Sequence, residues 1–146
     1  MGGHEKLQRI FQQKAAMIGL DTSAIIDLFK GDPNIKLFLD GNKEPLAATI
    51  MSYLELSFGL NPENPKHMEE GKYYNEFFKS VYNIDLNQHA CEEASKIFWR
   101  LKKEGKIIEQ FDCVISALFI ANGINKIVSR NPKHFERIKQ LTVISY

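Results

Sequence analysis

Cysteine is scarce in this chain. Only Cys91 and Cys113 occur in 146 residues, far apart and without a C-x-x-C pair, which argues against a disulfide framework and against a cysteine-built zinc site. A reducing, cytoplasmic compartment fits this usage. Long apolar runs are missing too. The most apolar stretch, Cys113 to Ala121, is nine residues with a serine inside it, against the roughly 20 needed to cross a bilayer, so no membrane span is predicted. The opening segment MGGHEKLQRIFQQ holds no apolar core followed by a small-residue cleavage site, and no secretory signal is expected. Nor does one sign of charge prevail: nineteen Lys and Arg against eighteen Asp and Glu leave +1. The chain therefore lacks the global basic field of non-specific nucleic-acid binders, and any nucleic-acid contact has to be local.

What is present is an ordinary globular composition, 44% hydrophobic and 25% charged, at the usual size of one domain. Short β-rich runs alternate with longer helical patterns, which predicts an α/β domain with a mainly parallel sheet. The predicted strands are Ala16 to Leu20, Leu46 to Thr49, Asn83 to Leu86, Lys126 to Ser129 and Thr142 to Ser145. The predicted helices are Ser23 to Lys30, Pro33 to Leu39 capped by Asp32, Ile50 to Phe58, Lys66 to Val81, Gln88 to Glu104 ended by Gly105, Phe111 to Asn122 ended by Gly123, and Pro132 to Gln140. Residues 1–15 read as a helical or disordered extension, and residues 16–146 as a single domain.

The informative residues are acids inside apolar segments, because an ionised carboxylate without a partner is strongly disfavoured away from water. Asp21 follows AAMIGL at the carboxyl end of the first strand, the edge where open α/β sheets bind ligands. N-capping of the next helix is an equally physical role for it. Glu55 lies in TIMSYLELSFGL with apolar neighbours in both adjacent turns, although a long side chain at the edge of a helix can reach solvent. Asp112 opens the apolar run DCVISALFIANG, where the helix dipole favours its charge and capping is again the alternative. Each belongs to a different βα unit, so the three can converge at one end of the sheet. Converging carboxylates repel one another, and hard divalent cations such as Mg²⁺ or Mn²⁺ are the usual counter-charge for an oxygen-only set. Such a site suits phosphodiester hydrolysis.

The segments IGLDTSAIIDLFKGD, SYLELSFG, FDCVISALFIANG and IVSRNPKHFERI, in that order, resemble a PIN domain, and most of all the VapC-type toxin nucleases of toxin–antitoxin pairs. The resemblance runs from about Met17 to the end of the chain. It implies a three-layer α/β/α sandwich around a five-stranded, mainly parallel sheet, and a metal-dependent endoribonuclease with a small antitoxin partner. It places the acids on Asp21, Glu55 and Asp112, and a small hydroxyl on Ser23. The fourth, strand-end position falls on Asn131, with Ser129 as its accompanying hydroxyl. Asparagine there departs from an acidic quartet and leaves three negative charges, too few to hold a second cation tightly.

Among the remaining polar residues, Arg130, Lys133, His134 and Arg137 adjoin Asn131 and form either a phosphate-binding rim for RNA or a solvated basic helix end. Asp27, six residues after Asp21 inside a short helix, reads as a residue of a solvated helix face or, alternatively, as a group that supports the site from behind. Glu109 either joins the acidic mouth or caps a helix. His67, His89 and His134 lack an i, i+4 partner and are not expected to be metal ligands. Tyr73, Tyr74, Phe77 and Phe78 have helical spacing and are expected in core or dimer packing. The surplus apolar helix surface of the second half predicts a homodimer. Two other functions compete. One is a phosphatase-type domain with Asp21 as nucleophile, although Ser23 stands where its D-x-D motif needs an acid. The other is a catalytically silent binding module of the same fold.

Overall fold

The computed structural model describes residues 2–146, so Met1 of the expected extension lies outside the described residues. Thirteen elements follow in chain order. They are α1 (Gly3–Ala16), β1 (Ile18–Leu20), α2 (Thr22–Phe29), α3 (Pro33–Gly41), β2 (Leu46–Thr49), α4 (Ile50–Phe58), α5 (Pro65–Ser80), β3 (Tyr82–Ile84), α6 (Gln88–Lys103), α7 (Gln110–Ala121), β4 (Lys126–Val128), α8 (Pro132–Phe135) and β5 (Thr142–Ile144). All strand pairings are parallel, in the order β3-β2-β1-β4-β5. Strand order reverses beside β1, and the crevice beyond the carboxyl ends of β1 and β4 is the position where such sheets bind ligands.

Parallel strands need both faces covered, and alternate residues here serve alternate layers. Ala47 and Ile127 face one core, built with α6, α7 and α8 around Leu101, Leu118 and Phe119. Ala48 and Val128 face the other, built with α2, α3 and α5 around Ile25, Ile35 and Phe78. The result is the expected three-layer α/β/α sandwich. Gly19, at the centre of β1, turns toward the first core, where a Cβ would stand 2.7 Å from the Phe119 ring. Only glycine lets α7 lie this close to β1. Of the aromatic run on α5, Tyr74, Phe77 and Phe78 pack in the second core, Tyr74 and Phe77 meeting the Phe29 ring edge-on at 4.7 and 5.6 Å, whereas Tyr73 is 59% exposed.

Several boundaries differ from the expected ones. β1 starts at Ile18 because α1 runs through Ala16, and β3 is Tyr82–Ile84, shifted toward the end of α5. The segment expected as one helix over Pro132 to Gln140 is helical only to Phe135. Beyond it the chain turns, with Ile138 N–H on Phe135 O and Leu141 N–H on Ile138 O. That path buries Ile138 and Leu141 and delivers β5 into register with β4. The extension is helical in α1, and among the described residues no helix is long and apolar enough to cross a membrane.

Candidate active site

The two loops that leave β1 and β4 meet through a set of hydroxyl groups. Asp21 is the N-cap of α2, only 3% exposed, and its Oδ1 accepts from Ala24 N–H at 2.9 Å. Ser23 Oγ lies 2.8 and 2.9 Å from its two oxygens, and Ser129 Oγ donates to Oδ2 at 2.6 Å. Each serine also accepts a backbone N–H: Ser23 from Arg130 at 3.0 Å, Ser129 from Asn131 at 2.9 Å. The strand-end motif Ser129-Arg130-Asn131 is thereby docked onto Asp21. Capping and membership of the site turn out to be the same placement, since a carboxylate that caps α2 necessarily stands at the switch point of the sheet.

Glu55 and Asp112 are brought in from α4 and α7. Thr22 Oγ1 donates to Glu55 Oε1 at 2.7 Å and lies 2.9 Å from Ser52 Oγ. Because the threonine proton is spent on Glu55, Ser52 is the donor of the second bond. Asp112 sits in the first turn of α7, not at its cap, which is Glu109. Its Oδ2 is 3.1 Å from His134 Nδ1.

The three carboxyls share one kind of environment. Burial pushes each above the ordinary carboxylate range, hydrogen bonds oppose that rise, and like charge adds to it. Asp21 feels Asp112, while Glu55 feels Asp112, Glu109 and Asp21. Glu109 therefore belongs to the acidic mouth. Among the described residues no lysine or arginine bonds to any of the three, and His134 is a cation-capable side chain that touches Asp112. Among the described residues no three His, Cys, Asp or Glu side chains are already closed into a metal-holding group. The donor set nevertheless fits a hard divalent cation: oxygen only, mutually repelling, and short of positive charge.

The other expected site residues divide. Asn131 reaches the site through its backbone, and its side chain makes no capping hydrogen bond at the start of α8. Lys133 is exposed beside it. Arg137, expected at the rim, acts as a latch: its Nη1 donates to Ile107 O at 2.7 Å and pins the loop entering α7. Arg130 is not a freely solvated rim residue: its Nη1 pairs with Asp27. Asp27, expected on a solvated helix face, is buried at 6% exposure. Periodicity put it on an outward face, but Arg130 and Tyr146, far away in the chain, cover it. His134 stands at the Asp112 carboxylate, an arrangement that no i, i+4 spacing could reveal, because the partners are on α7 and α8. Thr22 and Ser52 carry no functional signal in the sequence.

Residues 18–141 match the PIN domain family. The sequence is 28% identical over 144 residues to Ribonuclease VapC1 of Methanocaldococcus jannaschii, with 97% of this chain and 96% of that protein covered. The fold is similar to VapBC2 from Rickettsia felis bound to a DNA fragment from its promoter, with TM-score 0.73 and 21% identity over 89% of this chain and 98% of that one. It is also similar to the DNA-bound VapBC of Salmonella typhimurium, with TM-score 0.75 and 18% identity over 88% and 97%.

Proposed function

The chain belongs to the PIN domain family, and from that premise we propose that it is a divalent-metal-dependent endoribonuclease acting as the toxin of a toxin–antitoxin pair. The reading is supported by Asp21, Glu55 and Asp112, which stand at the cap of α2, on α4 and on α7, raise one another's charge cost at Asp21 and Glu55, and have no lysine or arginine bonded to them among the described residues. The names of the similar proteins support the ribonuclease activity and the antitoxin partner. Exposed apolar side chains such as Leu54, Phe58 and Trp99 leave surface for that partner and for a homodimer.

Asp21, Glu55 and Asp112 are the residues that would hold Mg²⁺ or Mn²⁺. Bound there, the cation would offset phosphate charge, acidify water and stabilise the leaving oxygen. The protein's own part is positional. Ser23, Ser129 and the Ala24 N–H fix the Asp21 carboxylate, Thr22 aims Glu55, and His134 orients Asp112. Arg130, Lys133 and Arg137 supply a local basic rim for the RNA backbone, as a chain of net charge +1 requires. An aspartyl-phosphate role for Asp21 is disfavoured because Ser23 stands where the D-x-D motif of such enzymes needs an acid.

Cleavage of a defined single-stranded RNA tests the proposal. Wild type should cut it with Mg²⁺ or Mn²⁺, stop in EDTA, and lose most activity as Asp21→Asn. Undiminished cleavage in EDTA would overturn the metal mechanism, and binding without cleavage under all conditions would favour the silent module.

A further inference from the structure

Asp27 is a buried carboxylate that the carboxylate site does not use. It lies on α2 beyond Asp21, and both of its oxygens are taken. Arg130 Nη1 donates to Oδ1 at 2.5 Å, and Tyr146 OH donates to Oδ2 at 2.6 Å. A buried anion of this kind is retained only when it is fully partnered, so the two donors and the carboxylate constrain one another. Burial and the adjacent Asp27 push the Tyr146 phenol above its ordinary range, which keeps it a donor.

The constrained partner is the one that matters for the site. Arg130 N–H is bonded to Ser23 Oγ, itself bonded to Asp21, so its backbone is one side chain removed from the acid cluster. Its side chain is 49% exposed, against 8% for Asp27. A guanidinium has five N–H donors in a planar fork, and the bond to Asp27 occupies only part of it. Free beside three carboxylates, an arginine would fold onto them and neutralise the site. Tied to Asp27, it stays at the rim with donors left over for an anion from outside. Of the nearby cations, Arg137 is bonded to Ile107 O, and Lys133 is exposed.

We propose that Asp27 and Tyr146 are positioning residues that hold the Arg130 guanidinium at the rim of the carboxylate site, as a contact for a phosphate of the RNA strand. This rests on the nuclease reading above, and it makes the segment after β5 part of the working site.

The test uses a labelled single-stranded RNA bound in EDTA, with affinity followed against salt for wild type, Arg130→Gln, Tyr146→Phe and the double variant. Cleavage is assayed in parallel with Mg²⁺ or Mn²⁺. Arg130→Gln should weaken binding about ten-fold and reduce the salt slope by about 0.7, the single-strand value for one phosphate contact. Tyr146→Phe keeps every charge and should weaken binding about three-fold, an effect that should vanish in the Arg130→Gln background. An unchanged salt slope in Arg130→Gln, or a Tyr146→Phe penalty that persists in full without Arg130, overturns the proposal while leaving the nuclease reading intact. The expected binding pattern without cleavage overturns the nuclease reading and leaves the phosphate contact standing. No RNA binding by wild type in EDTA overturns the proposal, and if cleavage with Mg²⁺ or Mn²⁺ is absent as well the nuclease reading falls with it.

Discussion

Ser129→Ala removes the hydroxyl that joins the two sheet-end loops, and its cost should depend on the charge of Asp21. The side chain is fully buried, donates to Asp21 Oδ2 at 2.6 Å and accepts from Asn131 N–H at 2.9 Å. A hydrogen bond to an ionised group contributes about 1.5–3 kcal/mol and a neutral one about 1. The freed Asn131 N–H belongs to an exposed residue and can turn to water, so it adds little. The expected loss is about 2 kcal/mol with Asp21 ionised and about 1 kcal/mol with it protonated.

The sign with pH follows from linkage. Burial raises the folded Asp21 pKa above its ordinary 3.8 despite the Ser129 bond. Between those two values the folded state binds more protons than the unfolded state, and this group's contribution to stability falls as pH rises. Losing Ser129 lifts the folded pKa further, so the gap between variant and wild type widens as pH climbs through the wild-type value. Urea unfolding in EDTA measures it: at a slope of about 1–3 kcal/mol/M, 2 kcal/mol moves the midpoint by about 1 M. In an Asp21→Asn background the Ser129→Ala loss should drop to about 1 kcal/mol or less. Equal losses at pH 4 and pH 8, or an Asp21→Asn background that changes nothing, would refute the reasoning.

Gly19→Ala places a methyl 2.7–2.9 Å from three atoms of the buried Phe119 ring; overpacking of this kind should cost about 1–3 kcal/mol and lower the melting temperature by several degrees, and an unchanged melt would mean that α7 moves freely relative to β1. Asn131→Asp restores a fourth negative charge beside Ser129 and should lower apo stability while shifting activity to lower Mn²⁺ concentration. Superimposable metal titrations for Asn131→Asp and wild type would put residue 131 outside the metal site.

Sequence patterning reached the layers of this fold because the central strands carry a two-sided apolar signal: Leu46 to Thr49 is predicted and observed as the same strand. Elements bounded by strong local chemistry were also legible, as where Asp32 and Pro33 start α3 and Asp32 Oδ1 accepts from Asn34 and Ile35. Boundaries set by tertiary demands were not, and the early stop of α8 is the case in point, since burial of Ile138 and Leu141 decides it. The acids of the site stood out because charge amid apolar residues is costly. Their supports did not, because the links from Ser129 to Asp21, Thr22 to Glu55 and His134 to Asp112 join separate elements. Asp27 shows the same limit from the other side: helical periodicity cannot register a partner more than a hundred residues away in the chain.

The central claim is that Asp21, Glu55 and Asp112 act as one cation site, and calorimetric titration of the apo protein with Mn²⁺ tests it most directly. Because burial, with like charge from neighbouring acids added to it, raises all three carboxyls, binding near the upper end of the carboxylate range should release protons, with a heat that scales with buffer ionisation enthalpy. About one cation per chain is expected, with affinity reduced at least ten-fold in each of Asp21→Asn, Glu55→Gln and Asp112→Asn. Mn²⁺ affinity that survives all three substitutions unchanged would contradict the account.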